Sequence, residues 1–208
     1  MTTTTRSPGV SGIVRRPRDV VLVVVGTAVL VLAAQPVHPD SVSDVEEAVF
    51  SALNSTTVLP FVVVWPFMQL GNIVVVPCAA VLAALYRRWR LAGELLLAGA
   101  GVYFLAKQVK GVWPRGRPAG LLSDVVIRGD AALGRGFVSG HAAVVTALVV
   151  VAWPWLNRTG RVVCASLAVA VCLARVYVGA HLPLDVVGGA ALGLAVGGLV
   201  RLLLAHPS

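Results

Sequence analysis

The sequence predicts an all-α membrane protein, a bundle of six transmembrane helices, and three observations predict it. Of its 208 residues 58% are hydrophobic and 12% charged, and the mean hydropathy of +0.88 lies far above that of an ordinary soluble domain. Uncharged runs recur at 20–37, 58–86, 95–106, 142–157, 162–174 and 186–200, several of which reach the roughly 20 residues a membrane-crossing helix needs once their flanks join them. Basic clusters, finally, alternate along the chain between those runs.

Taken in order, residues 1–19 form a basic tail carrying Arg6, Arg15, Arg16 and Arg18. The first span follows at about 20–37. Arginines before it and the small residues of "LAAQPV" (32–37) resemble a signal peptide, but the run is longer than a signal core, so the span is expected to stay uncleaved. The stretch "SVSDVEEAVFSALNSTT" (41–57) spaces Val45, Val49, Ala52 and Leu53 as a helix would. It reads equally as a short amphipathic helix on the membrane or as a solvated loop. Pro60, Pro66 and Pro77 interrupt the long run after it, and because proline removes a backbone donor and bends or starts a helix, the second span is placed at 65–86. The remaining spans fall at 91–109, 141–157, 162–176 and 183–204, giving one membrane domain over 20–208. Small residues recur every four positions in the last span, at Gly189, Gly193 and Gly197, a face that lets helices approach closely in lipid.

Lysine and arginine orient such a bundle, because short cytoplasmic loops carry their excess. The N-terminal arginines, "YRRWR" (86–90), "NRTGR" (157–161) and Arg201 share one face, which predicts cytoplasmic N- and C-termini in the cell membrane. The +8 formal charge is therefore not a nucleic-acid footprint. Cys78, Cys164 and Cys172 all lie within spans without paired spacing and read as small packing residues.

Seven basic residues remain on or near the opposite face, against the rule. Three stretches gather there: "KGVWPRGRP" (110–118), "GFVSGH" (136–141) and "RVYVGAHLPLD" (175–185). Ionisable groups at a span's edge are costly and usually functional. Lys110, Arg117 and Arg175 offer a cationic pocket in which the guanidinium forks suit phosphate oxygens. Ser139 and the Gly140 N–H at a helix start add an anion site, and glycine permits close approach. His181 and Asp185 are four residues apart on one helical face. Asp185 would orient one ring nitrogen of His181 and leave the other as a nucleophile toward phosphorus. His141, across the phosphate, would protonate the leaving oxygen. No metal or other cofactor is expected, because the carboxylates are too few to hold magnesium and side chains supply the cations.

In these motifs the chain resembles the type-2 phosphatidic acid phosphatase and vanadium haloperoxidase superfamily, in its integral-membrane lipid phosphatase branch. The resemblance rests on Lys110 with Arg117-Pro118, on Ser139-Gly140-His141, and on Arg175 with His181 and Asp185, at the spacings of the family pattern. Val138 stands where the family has proline and Ala174 where it has serine. The resemblance implies a membrane phosphatase whose substrate is a lipid phosphate. An extracytoplasmic site favours a polyprenyl diphosphate, with phosphatidic acid or phosphatidylglycerol phosphate next. Arg115, Arg128 and Arg135 offer themselves for a second phosphate, although loop charges are more often solvated. The alternatives are a transporter or proton relay using His181, Asp185 and Arg175, which requires charges at mid-membrane depth, and a non-catalytic lipid-binding relative. Oligomeric state is not readable from the sequence.

Overall fold

The structure, a computed structural model, describes residues 17–130 and 132–204. The expected tail of residues 1–19 thus lies almost wholly outside the described residues. The described chain is helical without a strand: α1 Pro17–Ala34, α2 Asp44–Asn54, α3 Phe61–Gln69, α4 Val75–Leu85, α5 Trp89–Val112, the single turn α6 Pro118–Leu121, α7 Gly140–Ala152, α8 Arg158–Tyr177 and α9 Pro183–Leu203. A 3-10 turn, Trp153–Trp155, extends α7. Four of these helices, α1, α5, α8 and α9, are long and apolar enough to cross a membrane, and α4 and the extended α7 are shorter apolar helices.

The largest difference from the expected layout lies at 65–86, which is two helices rather than one span. Pro66 sits inside α3, and the chain then turns through Gly71 and Asn72, whose Oδ1 accepts the Val74 N–H at 3.1 Å. Apolar composition alone hid this break, because hydropathy does not register where hydrogen bonding fails. The turn has a positional purpose: a Cβ on Gly71 would come within 2.8 Å of both the Cβ and the carbonyl oxygen of His141. The interruption thus lets the turn between α3 and α4 lie against the start of α7, while α3 packs on α8 and α4 on α5.

Residues 41–57 contain the helix α2, of the two alternatives the sequence left open. Ser43 caps it, its hydroxyl accepting the Glu46 N–H at 3.4 Å. Its buried face, however, is Glu46, Phe50 and Asn54. Val45 and Val49 point outward, so of the apolar positions counted as one face only Leu53 packs inward, and the acidic Glu46 turns in.

Helix α9 is the axis of the bundle, with 61% of its apolar window buried against 17–28% in the other three long helices. Its glycines make this packing feasible. A Cβ on Gly189 would collide with the carbonyl of Ser139, one on Gly193 with that of Ala143, and one on Gly197 would lie 2.8 Å from the Val150 side chain. Gly26 of α1 likewise meets the Ala195 backbone of α9, at 2.6 Å from an added Cβ. Backbones that close gain dispersion contacts that lipid tails do not match. At the same end a buried ion pair joins α1 to α9, Asp19 with Arg201 at 2.7 Å, and within α5 the partly exposed Arg90 pairs with the buried Glu94 at 2.9 Å. The Trp155 indole also donates to Glu94, at 3.4 Å. Among the described residues, Arg18, Arg88, Arg161 and Arg201 gather at this end, and the three motif stretches gather at the other; Arg6, Arg15 and Arg16 lie outside the described residues.

Candidate active site

Each site residue is placed by a helix end. Lys110 occupies the last turn of α5. Arg117 is the residue before Pro118, which opens α6 with its ring at a position where no N–H is needed. Ser139 is the N-cap of α7, and Gly140 and His141 form its first turn. Arg175 ends α8, and its carbonyl accepts the N–H groups of both Ala180 and His181 at 3.1 Å. That double closure requires the left-handed Gly179, at φ +76°, and swings His181 back over the end of α8. Asp185 is the third residue of α9. Its Oδ2 accepts the Leu182 N–H at 3.0 Å, the reciprocal half of a capping box, so one carboxylate both starts the helix and meets the histidine.

His181 is the centre of the constellation. Its Nδ1 lies 3.2 Å from Asp185 Oδ2, and Arg117 Nη1 lies 2.7 Å from its Nε2, nearer than the 3.2 Å to its Nδ1. An arginine only donates and an ionised carboxylate only accepts, so one tautomer satisfies both neighbours: Nδ1 carries the proton and Nε2 the lone pair. Burial lowers the pKa of His181 well below the usual histidine value, and the positive charges of Arg117, Arg175 and Lys110 push in the same direction. The imidazole is therefore neutral at neutral pH.

The cations surround it. Arg117 donates to the Ala180 carbonyl at 2.8 Å and to Leu133 at 3.2 Å. Lys110 Nζ donates to the carbonyls of Arg135 and Gly136 at 2.8 and 3.1 Å. Arg175 is buried, with its Nη1 3.7 Å from Met68 Sδ and its Nε without a protein partner. Ser139 Oγ is also buried without a partner and does not cap its own helix. Unsatisfied buried donors are costly and call for an explanation, and here two of them flank one helix N-terminus. A Cβ on Gly140 would meet nothing within 4 Å, so open space lies in front of that helix end. His141 makes no side-chain hydrogen bond to any described residue and sits close enough to Arg175 and Arg117 to feel both charges. The eight residues chosen from sequence lie at the same end of the bundle, with Arg117, His181 and Asp185 in direct contact.

Two participants were not legible in the sequence. Arg115, fully buried, forms a bidentate pair with Glu46 of α2, at 3.0 and 2.5 Å, and reaches Asp185 Oδ1 at 3.5 Å. Glu46 also accepts the Leu184 N–H at 2.9 Å. The partners are 69 residues apart, so no local spacing links them. The assignment to a second phosphate or to solvent is corrected here for Arg115 and Arg128. Arg128 spends its guanidinium on the carbonyls of Asn54, Tyr177 and Thr56 and stacks 4.1 Å over the Tyr177 ring, while Arg135 donates to the Lys110 carbonyl at 2.7 Å. Arg115 and Arg128 are structural clamps, whereas Arg135 is exposed. The two departures from the family pattern are also apolar packing positions: Val138 lies in the main core and Ala174 packs with Val64 and Met68. Among the described residues no three His, Cys, Asp or Glu side chains gather as a metal site would need.

An all-helical membrane bundle with cations, an exposed helix start and an oriented neutral histidine at one end defines a membrane-embedded phosphatase. The sequence model of the PAP2 superfamily matches residues 87–206, more than half of the chain, and the chain belongs to that superfamily as one of its membrane lipid phosphatases. Two solved structures share the fold. LpxE of Aquifex aeolicus is 25% identical, with a TM-score of 0.71 over 76% of this chain and 95% of that one. The first transmembrane PAP2-type phosphatidylglycerolphosphate phosphatase from Bacillus subtilis is 22% identical, with a TM-score of 0.64 over 89% and 95%. No curated protein matches by sequence.

Proposed function

We propose that the chain hydrolyses a lipid phosphate or diphosphate monoester at the extracytoplasmic face through a phospho-histidine intermediate, without a metal. The observation that carries this reading is the His181 ring held between Asp185 and Arg117, with Nδ1 toward the carboxylate and Nε2 toward the guanidinium. Lys110, Arg117, Arg175, the Ser139 hydroxyl and the Gly140 N–H hold the phosphoryl oxygens and stabilise the charge that develops on them. As the phosphate enters, Arg117 exchanges His181 for an oxygen and uncovers the nucleophile. Nε2 attacks phosphorus, the bond to the leaving oxygen breaks, and His141 delivers a proton to that oxygen. Asp185 stabilises the positive charge that forms on the ring. His141, now neutral, takes a proton from water, whose oxygen attacks phosphorus as the P–N bond breaks, and inorganic phosphate leaves.

Substrate choice is favoured in the order polyprenyl diphosphate, then phosphatidic acid or phosphatidylglycerol phosphate. Recycling of a polyprenyl carrier suits an outward-facing site, and the Bacillus subtilis structure named for phosphatidylglycerolphosphate supports the second class through fold alone. Phosphate release by the purified protein from detergent micelles of each lipid tests the reading. Release that persists in a chelator, stops with orthovanadate and is absent in His181→Ala supports it, whereas strict magnesium dependence or no release from any of the lipids overturns it.

A further inference from the structure

A sizeable apolar cavity of the protein lies away from the histidines. Helices α1, α7, α8 and α9 enclose an apolar groove of about 870 Å³, within the range of built ligand sites. It exists because α8 packs on α7 but barely on α9, and because α8 turns small side chains, Ala165, Ala168 and Cys172, toward the gap. Along α9 the lining runs from Ala190 to Arg201, which at 1.5 Å per residue is about 17 Å. That is close to one leaflet of a hydrocarbon core about 30 Å thick.

The two ends of the groove differ. Toward the active site it is closed by the buried layer of Ala142, Val176, Leu182 and Val186, against which Cys172 packs. At the other end stand Arg18, Arg161 and Arg201 beside Trp153. Asp19 neutralises Arg201 at 2.7 Å. Arg161 donates to the Trp153 carbonyl at 3.1 Å and lies 5.7 Å over the Trp153 ring, and neither it nor Arg18 has a carboxylate partner among the described residues. Two positive charges therefore face the mouth of an otherwise apolar slot. Its occupant must be apolar over one leaflet, bring few hydrogen-bonding groups and end in negative charge. A peptide fails the second condition, since its backbone N–H and C=O groups would go unpaired against these walls.

We propose that this groove binds an anionic phospholipid of the leaflet opposite the active site, its acyl chain against Ala168 and Leu194 and its phosphate between Arg18 and Arg161. The site is separate from the substrate pocket, and a phosphodiester such as phosphatidylglycerol fits it while offering no terminal phosphate to hydrolyse.

Lipid retention by the purified full-length protein, read by native mass spectrometry against phosphatidylglycerol and phosphatidylcholine of identical chains, tests the assignment without relying on catalysis. The wild type should retain phosphatidylglycerol with a preference on the order of tenfold, as two basic residues near a membrane surface supply. Arg18→Ala with Arg161→Ala should reduce that preference to near parity while keeping both lipids, Ala168→Trp should fill the slot and lose both, and Lys110→Ala at the catalytic end should change neither. Should Ala168→Trp not fold, the arginine pair, which lies at the surface end, carries the test alone. Equal retention of the two lipids by the wild type overturns the headgroup assignment. Loss of retention in Lys110→Ala places the lipid in the catalytic pocket, and retention of neither lipid gives the groove to residues 1–16 or to a second copy of the chain; either result overturns the proposal.

Discussion

At the scale of single residues, the two histidines are distinguished by what holds them. His181 is fixed on both ring nitrogens and His141 on neither, as suits a nucleophile that must be aimed and an acid that must follow a leaving group. His181→Ala should abolish turnover on every substrate. His141→Ala should cost orders of magnitude on a lipid phosphate but far less on an activated aryl phosphate, which departs without a proton. Parallel rates on both substrates check this: rescue of His181→Ala and not of His141→Ala by the aryl ester reverses the two roles. Asp185→Asn should lower kcat by about two to four orders of magnitude while leaving KM within a fewfold. The electrostatics add a pH prediction. Because burial and three neighbouring cations lower the His181 pKa, its neutral, nucleophilic form persists below the ordinary value of about 6.5, so activity set by this group is present at neutral pH and lost only as pH falls through the depressed value. The acid limb of a kcat/KM profile should lie below pH 6.5 and move upward in Arg117→Gln, which removes one of the cations. An acid limb unmoved by that substitution counts against the assignment.

Two glycines of the site region separate packing from chemistry at the scale of elements. Gly189 lies where α9 crosses Ser139, and an added Cβ would strike that carbonyl, so Gly189→Ala should destabilise by about 1–3 kcal/mol, visible in thermal unfolding. Gly140 faces open space, so Gly140→Ala should keep or slightly raise the melting temperature, as alanine in a helix does, and still lower kcat/KM by blocking the phosphate's approach. Unfolding at lower temperature in Gly140→Ala would make that glycine a packing residue. Helix α2 matters for a different reason. Glu46 pairs with Arg115, which in turn faces Asp185, and leaving one member of a buried pair alone costs about 3–5 kcal/mol. Glu46→Gln keeps the shape and removes the charge, so it should lower kcat more than it raises KM, because Asp185 loses its alignment while the phosphate pocket stays intact. A pure KM effect would remove α2 from the catalytic network. The sequence made the Lys110, Ser139 and Arg175 stretches legible because each lies within a few residues of a helix end, where spacing fixes geometry. Glu46 and Arg115 were not legible for the converse reason: their meeting depends on how α2 lies across the bundle, and the apolar positions of α2 at 45 and 49 pointed to the wrong face.

At the scale of the whole molecule, the bundle is polarised. Arg18, Arg88, Arg161 and Arg201 mark one end, and Lys110, Arg117, Arg175 and the histidines mark the other. Among the described residues four helices are long enough to cross a membrane, with two shorter apolar helices; one of these two, α4, is short because Pro66 and the Gly71–Asn72 turn divide the second run, and a hydropathy count passes over such a division. The polarity itself was legible, because loop charges do not depend on where a helix breaks. It also makes a directional statement: cytoplasmic loops carry the excess of lysine and arginine, whereas the cations at the catalytic end are tied to carbonyls, carboxylates or the substrate pocket and report chemistry instead of topology. The catalytic end should therefore face outward. In a cysteine-free background, Asp130→Cys, on the loop beside Arg128, should react with a membrane-impermeant thiol reagent applied to intact cells, and Arg88→Cys should react only after the membrane is opened. The reverse pattern would place the histidines in the cytoplasm, where a polyprenyl carrier emptied outside could not reach them, and would leave a lipid phosphate of the inner leaflet as the substrate.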